Sequence, residues 1–208
     1  VTINDGSALI FWDAERRVDL VDKELLLAMK KAGCRMMSYG IEHGEFIQEI
    51  KGGNATLEQS EKAVKWAHEA KIQTAGYFMI GLPNETPETI RKTIDFAKKL
   101  DCTYATFSIT MPFPGNKLYD EAVKSGLIQL DDTWEKFVYG GVGVGGIQAP
   151  VLTTESLSAT DLEYWTKKAF REFYLRPSYI IKKLLSVRSL GDLMTYYNGY
   201  KMMKKDTV

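Results

Sequence analysis

The feature of this sequence that most constrains its fold is an alternation of strand-like and helix-like segments over the first 126 residues. Short apolar runs alternate with stretches whose apolar residues recur at helical spacing behind a capping residue such as Asp22 or Thr56. Parallel strands produce this alternation, because two parallel neighbours need a long crossover connection, usually a helix. The sequence therefore predicts an α/β fold, either an open sheet or part of a (β/α) barrel.

The individual segments are defined by their boundary residues. Strands are predicted at 8–12, 35–41, 73–80 and 103–109. Asp22, Thr56 and Asn116 are predicted to cap three of the four helices, and Pro87 to open the other, which runs to about Leu100.

The pattern changes after Gly126. Residues 131–150 are rich in glycine, and the remainder has helical periodicity. Thr160 and Glu163 form a capping-box pattern, Pro177 is predicted to end that helix, and two further helices are predicted at 178–187 and 190–204. The GxGxxG match at 141–146 is rejected as a dinucleotide site, since no strand precedes it and no helix follows. We predict one domain at 1–128 and a second, helical region at 129–208.

Composition excludes several classes of partner. Lys and Arg together number 27, as do Asp and Glu, so no overall charge would attract nucleic acid or a membrane surface. The apolar runs are too short to cross a bilayer and no signal pattern opens the chain, so a cytoplasmic protein is expected. Two cysteines without a CxxC motif provide neither a disulfide framework nor a metal site. The chain begins mid-pattern at Val1, and we interpret it as a piece of a longer protein.

Loops that follow strands are the places to search for a site, because α/β folds bind ligands at the carboxyl ends of their strands. Gly40–Gly44 holds Glu42 beside His43. A carboxylate here can accept hydrogen bonds from a ribose diol, although a solvated turn glutamate is the alternative. His43 is either a polar surface residue or the partner of Glu42 in acid/base chemistry. Gly81–Thr86 leads into a helix amino terminus, whose free amides favour anions, unless it is only a tight connection.

Five segments in this order carry a family resemblance. They are Arg17–Asp22, Gly33–Cys34, Tyr39–Glu42, Phe78–Thr86 and Pro112–Gly115. Over residues 11–128 this series resembles the radical S-adenosylmethionine (SAM) superfamily. The most similar branch carries an amino-terminal cobalamin-binding domain and includes the anaerobic magnesium-protoporphyrin IX monomethyl ester oxidative cyclase. The tail at 170–177 is also similar to that branch.

The resemblance implies a fold and an activity. The fold is the carboxyl-terminal portion of a partial (β/α)6 TIM-like barrel, roughly its third to sixth strands, followed by a helical tail. In the family a 4Fe-4S cluster reduces SAM to a 5′-deoxyadenosyl radical, which abstracts hydrogen from a small-molecule substrate. An oxidative cyclase-like reaction or methyl transfer is expected, with cobalamin bound by an amino-terminal domain outside this chain.

The resemblance also implies cofactor contacts. Glu42 matches the residue that holds the SAM ribose, and Gly81, Leu82 and Pro83 match the loop that lies against adenine. Tyr77 occupies a barrel-interior position that often contacts the cofactor, and Lys51 is assigned to the SAM carboxylate. No catalytic residue and no metal ligand is assigned.

The sequence departs from the family in what it lacks. It contains neither the CxxxCxxC cluster motif nor the Gly-Gly-Glu-type segment that grips the methionine amine. We therefore expect the longer parent protein to be an enzyme and this chain by itself to be inactive. We also expect the chain to self-associate through an exposed strand edge at 8–12. Two rival hypotheses are a non-catalytic scaffold on a degraded barrel and a conventional acid/base enzyme that uses Glu42 and His43.

Overall fold

The computed structural model describes residues 2–4, 7–51, 55–126, 154 and 156–187, and positions 189, 191, 194, 196–199 and 201. Its strands are β1 (Thr2–Asn4), β2 (Ser7–Leu9), β3 (Trp12–Arg16), β4 (Cys34–Glu42), β5 (Gln73–Ile80) and β6 (Tyr104–Ile109). Its helices are α1 (Lys23–Lys31), α2 (Ile47–Lys51), α3 (Leu57–Glu69), α4 (Pro87–Leu100), α5 (Lys117–Lys124), α6 (Ala159–Tyr174) and α7 (Pro177–Leu185), with a 3-10 turn at Val18–Leu20.

Four strands form one sheet in the order β3-β4-β5-β6, and β1 pairs separately with β2 in an antiparallel ribbon. β3 pairs in parallel with β4, and β4 in parallel with β5. Helices follow β3, β4, β5 and β6 along the chain. The predicted fold class is thereby confirmed: four parallel strands alternate with helices, and a helical carboxyl-terminal part follows.

The first predicted strand is wrong in its position. The apolar run at 8–12 is not the sheet strand, because Ser7–Leu9 pairs with β1 and the sheet begins at Trp12. Ile10 and Phe11 are exposed, and the Arg35 guanidinium lies over the Phe11 ring. The sheet uses the charged segment Trp12–Arg16 because an edge strand is only half covered and tolerates polar residues.

The predicted helix caps are largely confirmed. The side chains of Asp22, Thr56 and Asn116 each accept a hydrogen bond from the backbone N–H three residues later, which satisfies an otherwise unpaired helix-terminal donor. The expected box of Thr160 and Glu163 is wrong. α6 is instead capped two residues earlier, by Ser158 with Asp161 in a reciprocal capping box.

The chain divides into two compact units, Val1–Phe78 with Arg91–Thr106 and Met79–Ile90 with Phe107–Val208. Apolar side chains fill the interior of the first unit, among them Leu26, Met37, Tyr39, Ile41, Ala67, Phe78 and Ile94. The second unit has its own buried residues, among them Ile80, Phe107, Leu162, Ala169 and Phe173. The predicted boundary at residue 128 and the rejected GxGxxG segment at 141–146 lie outside the described residues.

Within the part of the chain that the structure describes, no helix combines the length and the apolar character needed to cross a membrane. Helical backbone is present at 191, 194, 196–199 and 201, inside the range predicted for the last helix.

Candidate functional site

The two faces of the sheet differ in the first unit. Thr74 of β5 faces the helices, because its hydroxyl lies 3.0 Å from Nε2 of His68 in α3. Side chains alternate along a strand, so Tyr77 lies on the opposite face. There its hydroxyl donates a hydrogen bond to Oγ of Ser38 on β4, over 3.3 Å. Tyr77 and Ser38 therefore form a polar pair on the sheet face opposite to α3, where Ser38 is buried and Tyr77 is half-buried.

Glu42 ends β4 in a strained conformation. The strand register passes from Gly40, paired with Tyr77, directly to Glu42, paired with Phe78, so a bulge interrupts the ladder at Ile41. Glu42 has a φ of 65°, and the N–H of His43 donates to the carbonyl oxygen of Ile41 over 2.9 Å. A three-residue turn with positive φ at its centre is rare, and a non-glycine residue in this region costs about 1–3 kcal/mol. Such strain is characteristic of functional sites, and it brings the half-buried Glu42 carboxylate to the end of its strand.

His43 has a structural role in this loop. The side chain is fully buried, and its ring stacks on Phe46 with centroids 4.5 Å apart. Its Nδ1 accepts hydrogen bonds from the backbone N–H groups of Glu45 and Phe46, over 3.0 and 3.1 Å. The interpretation of His43 as a polar surface residue is therefore wrong. Its Nδ1 lone pair is already committed just ahead of α2, which disfavours the hypothesis of a Glu42–His43 acid/base pair.

Gly44 fixes the loop against α4. A Cβ at Gly44 would lie 2.6 Å from the Cα of Thr93 and 2.8 Å from the carbonyl oxygen of Lys92, closer than real Cβ contacts come. Its backbone N–H donates to the buried hydroxyl of Thr93 over 3.0 Å. Because Gly44 has no side chain, its backbone can approach α4 closely enough to form this hydrogen bond. The bond holds the loop that follows Glu42 in place.

In the second unit, the turn after β5 is closed by a carboxylate. Glu85 is fully buried, and its Oε2 accepts hydrogen bonds from the backbone N–H groups of Gly81 and Leu82, the latter over 3.1 Å. The backbone N–H groups of Gly81 and Leu82 are therefore not available to an anion. Gly81 has a φ of 89°, and a Cβ there would lie 3.0 Å from the side chain of Leu162 in α6.

The other predicted cofactor-binding residues are less informative. Leu82 is 8% exposed, and Pro83 is exposed. Lys51 is the last residue of α2, and its side chain lies outside the described part of the structure. The structure thus places Glu42 and Tyr77 on the neighbouring strands β4 and β5, while Gly81, Leu82 and Pro83 belong to the second unit.

Thr110 follows β6 and carries a buried hydroxyl that has no hydrogen-bond partner among the residues that the structure describes. The residue is 1% exposed, and its backbone N–H donates to the carbonyl oxygen of Ile80 over 2.7 Å. Buried hydroxyls are normally hydrogen-bonded, so an unpaired one at the carboxyl end of a strand is a group that a ligand could satisfy. It is a feature of the second unit that fits a polar ligand.

The residues present do not fit an iron–sulfur cluster. Cys34 and Cys102 are both buried, and burial raises the pKa of the Cys34 thiol, whereas cluster ligation requires thiolates. Among the described residues no three His, Cys, Asp or Glu side chains are grouped so that they could hold a metal ion.

Sequence reasoning missed three residues that shape these segments: Ser38 and Thr93 in the first unit and Glu85 in the second. A serine inside an apolar strand and a glutamate four residues after a turn glycine are signals that could have identified the first two. Thr93 had no local signal, because its hydroxyl bonds to Gly44, 49 positions away along the chain.

Residues 14–97 match the family profile of the radical SAM superfamily, a range that includes β4, the Glu42 turn and β5. Over these residues the chain is therefore similar to the radical SAM superfamily, and we call residues 14–97 the radical SAM segment.

Methyltransferases and a cyclase are among the proteins that are similar to this chain. An uncharacterised methyltransferase of Pyrococcus horikoshii is 36% identical over 84% of this chain and 36% of its own length. The anaerobic magnesium-protoporphyrin IX monomethyl ester cyclase of Cereibacter sphaeroides is 29% identical over 79% of this chain and 26% of its own. Among solved structures, the radical SAM methyltransferase TsrM of Kitasatospora setae, with cobalamin and a 4Fe-4S cluster bound, is 28% identical over 56% of this chain and 22% of its own, at a TM-score of 0.48. This chain thus spans about a third or less of the length of these relatives.

Proposed function

We propose that this chain is part of a radical SAM enzyme that reductively cleaves SAM to a 5′-deoxyadenosyl radical and abstracts hydrogen from a small-molecule substrate. The observation that carries the proposal is the strained turn at Glu42, which lies within the radical SAM segment. A fold keeps a turn that costs about 1–3 kcal/mol only where the surrounding structure holds it, and such turns cluster at ligand sites.

Methyl transfer is the outcome we favour, with oxidative cyclisation second. The Pyrococcus horikoshii relative is named as a methyltransferase, and so are two bacteriochlorophyllide d enzymes of Chlorobaculum tepidum that are 27% and 26% identical to this chain. Two relatives are named as cyclases, at 29% and 24% identity. Cobalamin, held by a domain outside this chain, would serve the methyl-transfer reaction, since the methyltransferase TsrM has cobalamin bound.

Each of the candidate residues has a distinct binding role in this proposal. The Glu42 carboxylate accepts hydrogen bonds from the SAM ribose, and Tyr77 faces the cofactor from the sheet face opposite to α3. The backbone at Gly81, Leu82 and Pro83 packs against adenine, with the Glu85 carboxylate holding that turn in shape. Lys51 pairs with the SAM carboxylate. When bound, SAM would be the precursor of the 5′-deoxyadenosyl radical.

The cluster ligands must come from outside this chain. Neither Cys34 nor Cys102 suits the role, since both thiols are buried and belong to separate βα units. We therefore propose that the chain is inactive by itself and that a longer protein containing it is the enzyme, most simply a cytoplasmic one.

Calorimetric titration of SAM into that longer protein, under anoxic conditions, tests the proposal. Glu42→Ala should weaken binding by about 1–3 kcal/mol through loss of charge-assisted hydrogen bonds. Glu45→Ala is the matched control, because Glu45 lies three residues away and pairs with Lys92 over 2.7 Å on the protein surface. An unchanged SAM affinity in Glu42→Ala would remove Glu42 from the site.

The rival hypotheses give different results in the same preparation. A scaffold on a degraded barrel would neither bind SAM nor form 5′-deoxyadenosine with dithionite as reductant. An acid/base enzyme would turn over a substrate without SAM. That second outcome is disfavoured by the buried position of His43.

A further inference from the structure

Helix α7 carries an apolar face that no other described part of the chain covers. Its residues Ile180, Ile181, Leu184 and Leu185 are 41%, 56%, 58% and 82% exposed, and no residue of this helix is buried. Their spacing places them on one side of the helix, because residues four apart are neighbours on a helical surface. An exposed group of four large aliphatic side chains marks an interaction surface.

The orientation of this face is fixed by aromatic packing on the other side of the helix. The Tyr179 ring packs against Phe173 and Tyr174 of α6, with centroids 5.7 and 5.2 Å apart. The Arg176 guanidinium lies over the rings of Phe173 and Tyr179, at 4.0 and 5.1 Å. α7 is therefore held against α6 through Tyr179, and its aliphatic residues are exposed as a consequence of this packing.

Charge is distributed unevenly between this region and the rest of the chain. Residues 176–201 contain five basic residues and one acidic residue, while the whole chain has 27 of each kind. Lys182 and Lys201 are exposed, and Lys183 lies 5.3 Å from the ring of Tyr179. The chain is neutral as a whole, but residues 176–201 form a basic segment, and the apolar face lies within this segment.

Lysine and leucine together indicate a lipid surface more than a protein partner. Protein interfaces are depleted in lysine, and leucine is under-represented among their binding hot spots. Interfacial membrane helices instead combine a Leu- and Ile-rich face with flanking Lys and Arg, and tyrosine is enriched at the headgroup level. Tyr197 is 57% exposed in the same segment.

We propose that α7 and the helical positions after it lie on an anionic bilayer surface, with the four aliphatic side chains inserted among the headgroups and the exposed side chains of Lys182 and Lys201 facing anionic lipids. This inference departs from the expectation, based on net charge, of no membrane contact. It requires no helix that crosses a membrane. It is also independent of the SAM site, since it concerns residues 176–201 alone.

Co-sedimentation of this chain with vesicles tests the proposal. Binding to phosphatidylcholine mixed with phosphatidylglycerol should exceed binding to phosphatidylcholine alone and should fall as salt is added. Leu184→Asp should weaken binding at least about tenfold, since burial of a leucine side chain is lost. Lys182→Ala should weaken it about fivefold, the effect expected of one basic residue near an anionic surface.

Leu27→Asp is the matched control, because Leu27 is a 42% exposed helical leucine in α1. It should bind vesicles like the unchanged chain, and circular dichroism should show all variants folded. Three results would overturn the proposal: no binding to anionic vesicles, equal binding by Leu184→Asp, or equal binding to neutral vesicles. Oligomers that Leu184→Asp dissociates, without vesicle binding, would instead assign the face to a second copy of the chain.

Discussion

Glu42 combines a proposed binding role with an unfavourable backbone conformation. Its φ of 65° is one that glycine adopts without penalty, whereas any residue with a Cβ is strained there. Comparing Glu42→Gly with Glu42→Ala isolates the free-energy cost of the backbone strain, because both substitutions remove the carboxylate. We expect Glu42→Gly to be more stable than Glu42→Ala by about 1 kcal/mol in urea unfolding.

An exposed helical position provides the control for that comparison. Lys65 lies in the interior of α3 and is exposed, so Lys65→Ala should be more stable than Lys65→Gly by about 0.5–1 kcal/mol, the reverse order. If the alanine variant were also more stable than the glycine variant at position 42, the positive φ of Glu42 would be contradicted.

The buried carboxylate of Glu85 gives a second prediction for a single residue. Glu85→Ala leaves the backbone N–H groups of Gly81 and Leu82 without their acceptor, so we expect a loss of about 2–4 kcal/mol in the free energy of unfolding. Glu85→Gln keeps one carbonyl acceptor and should lose less. Glu88→Gln, an exposed change in the first turn of α4, should have little effect. A small loss for Glu85→Ala would mean that this turn does not depend on the carboxylate.

Among the elements, α4 and the loop after β4 depend on each other through Gly44. A methyl group at Gly44 would collide with the backbone at Lys92 and Thr93, which cannot move without shifting the helix. We expect Gly44→Ala to destabilise the fold by about 1–3 kcal/mol in thermal or urea unfolding. Gly199→Ala is the control, since a Cβ there would point into open space, and it should be neutral or slightly stabilising. Equal effects at the two positions would contradict the close approach of the loop to α4.

Helix α6 begins with a pH-sensitive cap. Hydrogen bonds from the Ser158 hydroxyl and backbone N–H lower the pKa of Asp161 below its usual value. A group whose pKa is lower in the folded state stabilises the fold above its unfolded pKa, and this contribution is lost as the pH falls through the folded value. The melting temperature of Asp161→Asn should therefore lie below that of the unchanged chain at neutral pH, and the two should converge below a pH of about 4. A constant difference at all pH values would exclude the ionised cap.

At the scale of the whole molecule, the sheet leaves β3 as an edge strand. The predicted exposed edge at 8–12 is thus shifted to Trp12–Arg16, where Asp13, Glu15 and Arg16 are exposed. Unpaired edge groups favour association between copies, while charged side chains oppose it. We still expect concentration-dependent self-association in sedimentation velocity, and expect it to persist in Leu184→Asp, which leaves the sheet edge intact. Monodisperse monomers at every concentration would contradict this prediction.

The sequence alone determined the alternation of four sheet strands with helices, although it did not predict the short helix α2, and it determined the positions of three helix caps. These features depend on side chains that lie close together along the chain: Asp22, Thr56 and Asn116 each bond to an amide three residues away. The family resemblance also came from the sequence, since its motifs are contiguous segments. The prediction of the cap of α6 from the sequence was wrong, because Ser158 and Asp161 form the capping box two residues ahead of the predicted Thr160 and Glu163.

The conformation, burial and contacts of the candidate residues depend on tertiary packing and could not be predicted from the sequence. The bulge and positive φ at Glu42 depend on pairing with β5, and the burial of His43 depends on the packing of the first unit. The hydrogen bond from Gly44 to Thr93 joins residues 49 positions apart, so no local pattern could reveal it. The exposed face of α7 likewise follows from which side of the helix Tyr179 packs on, because periodicity gives a helix an apolar face without specifying what covers it.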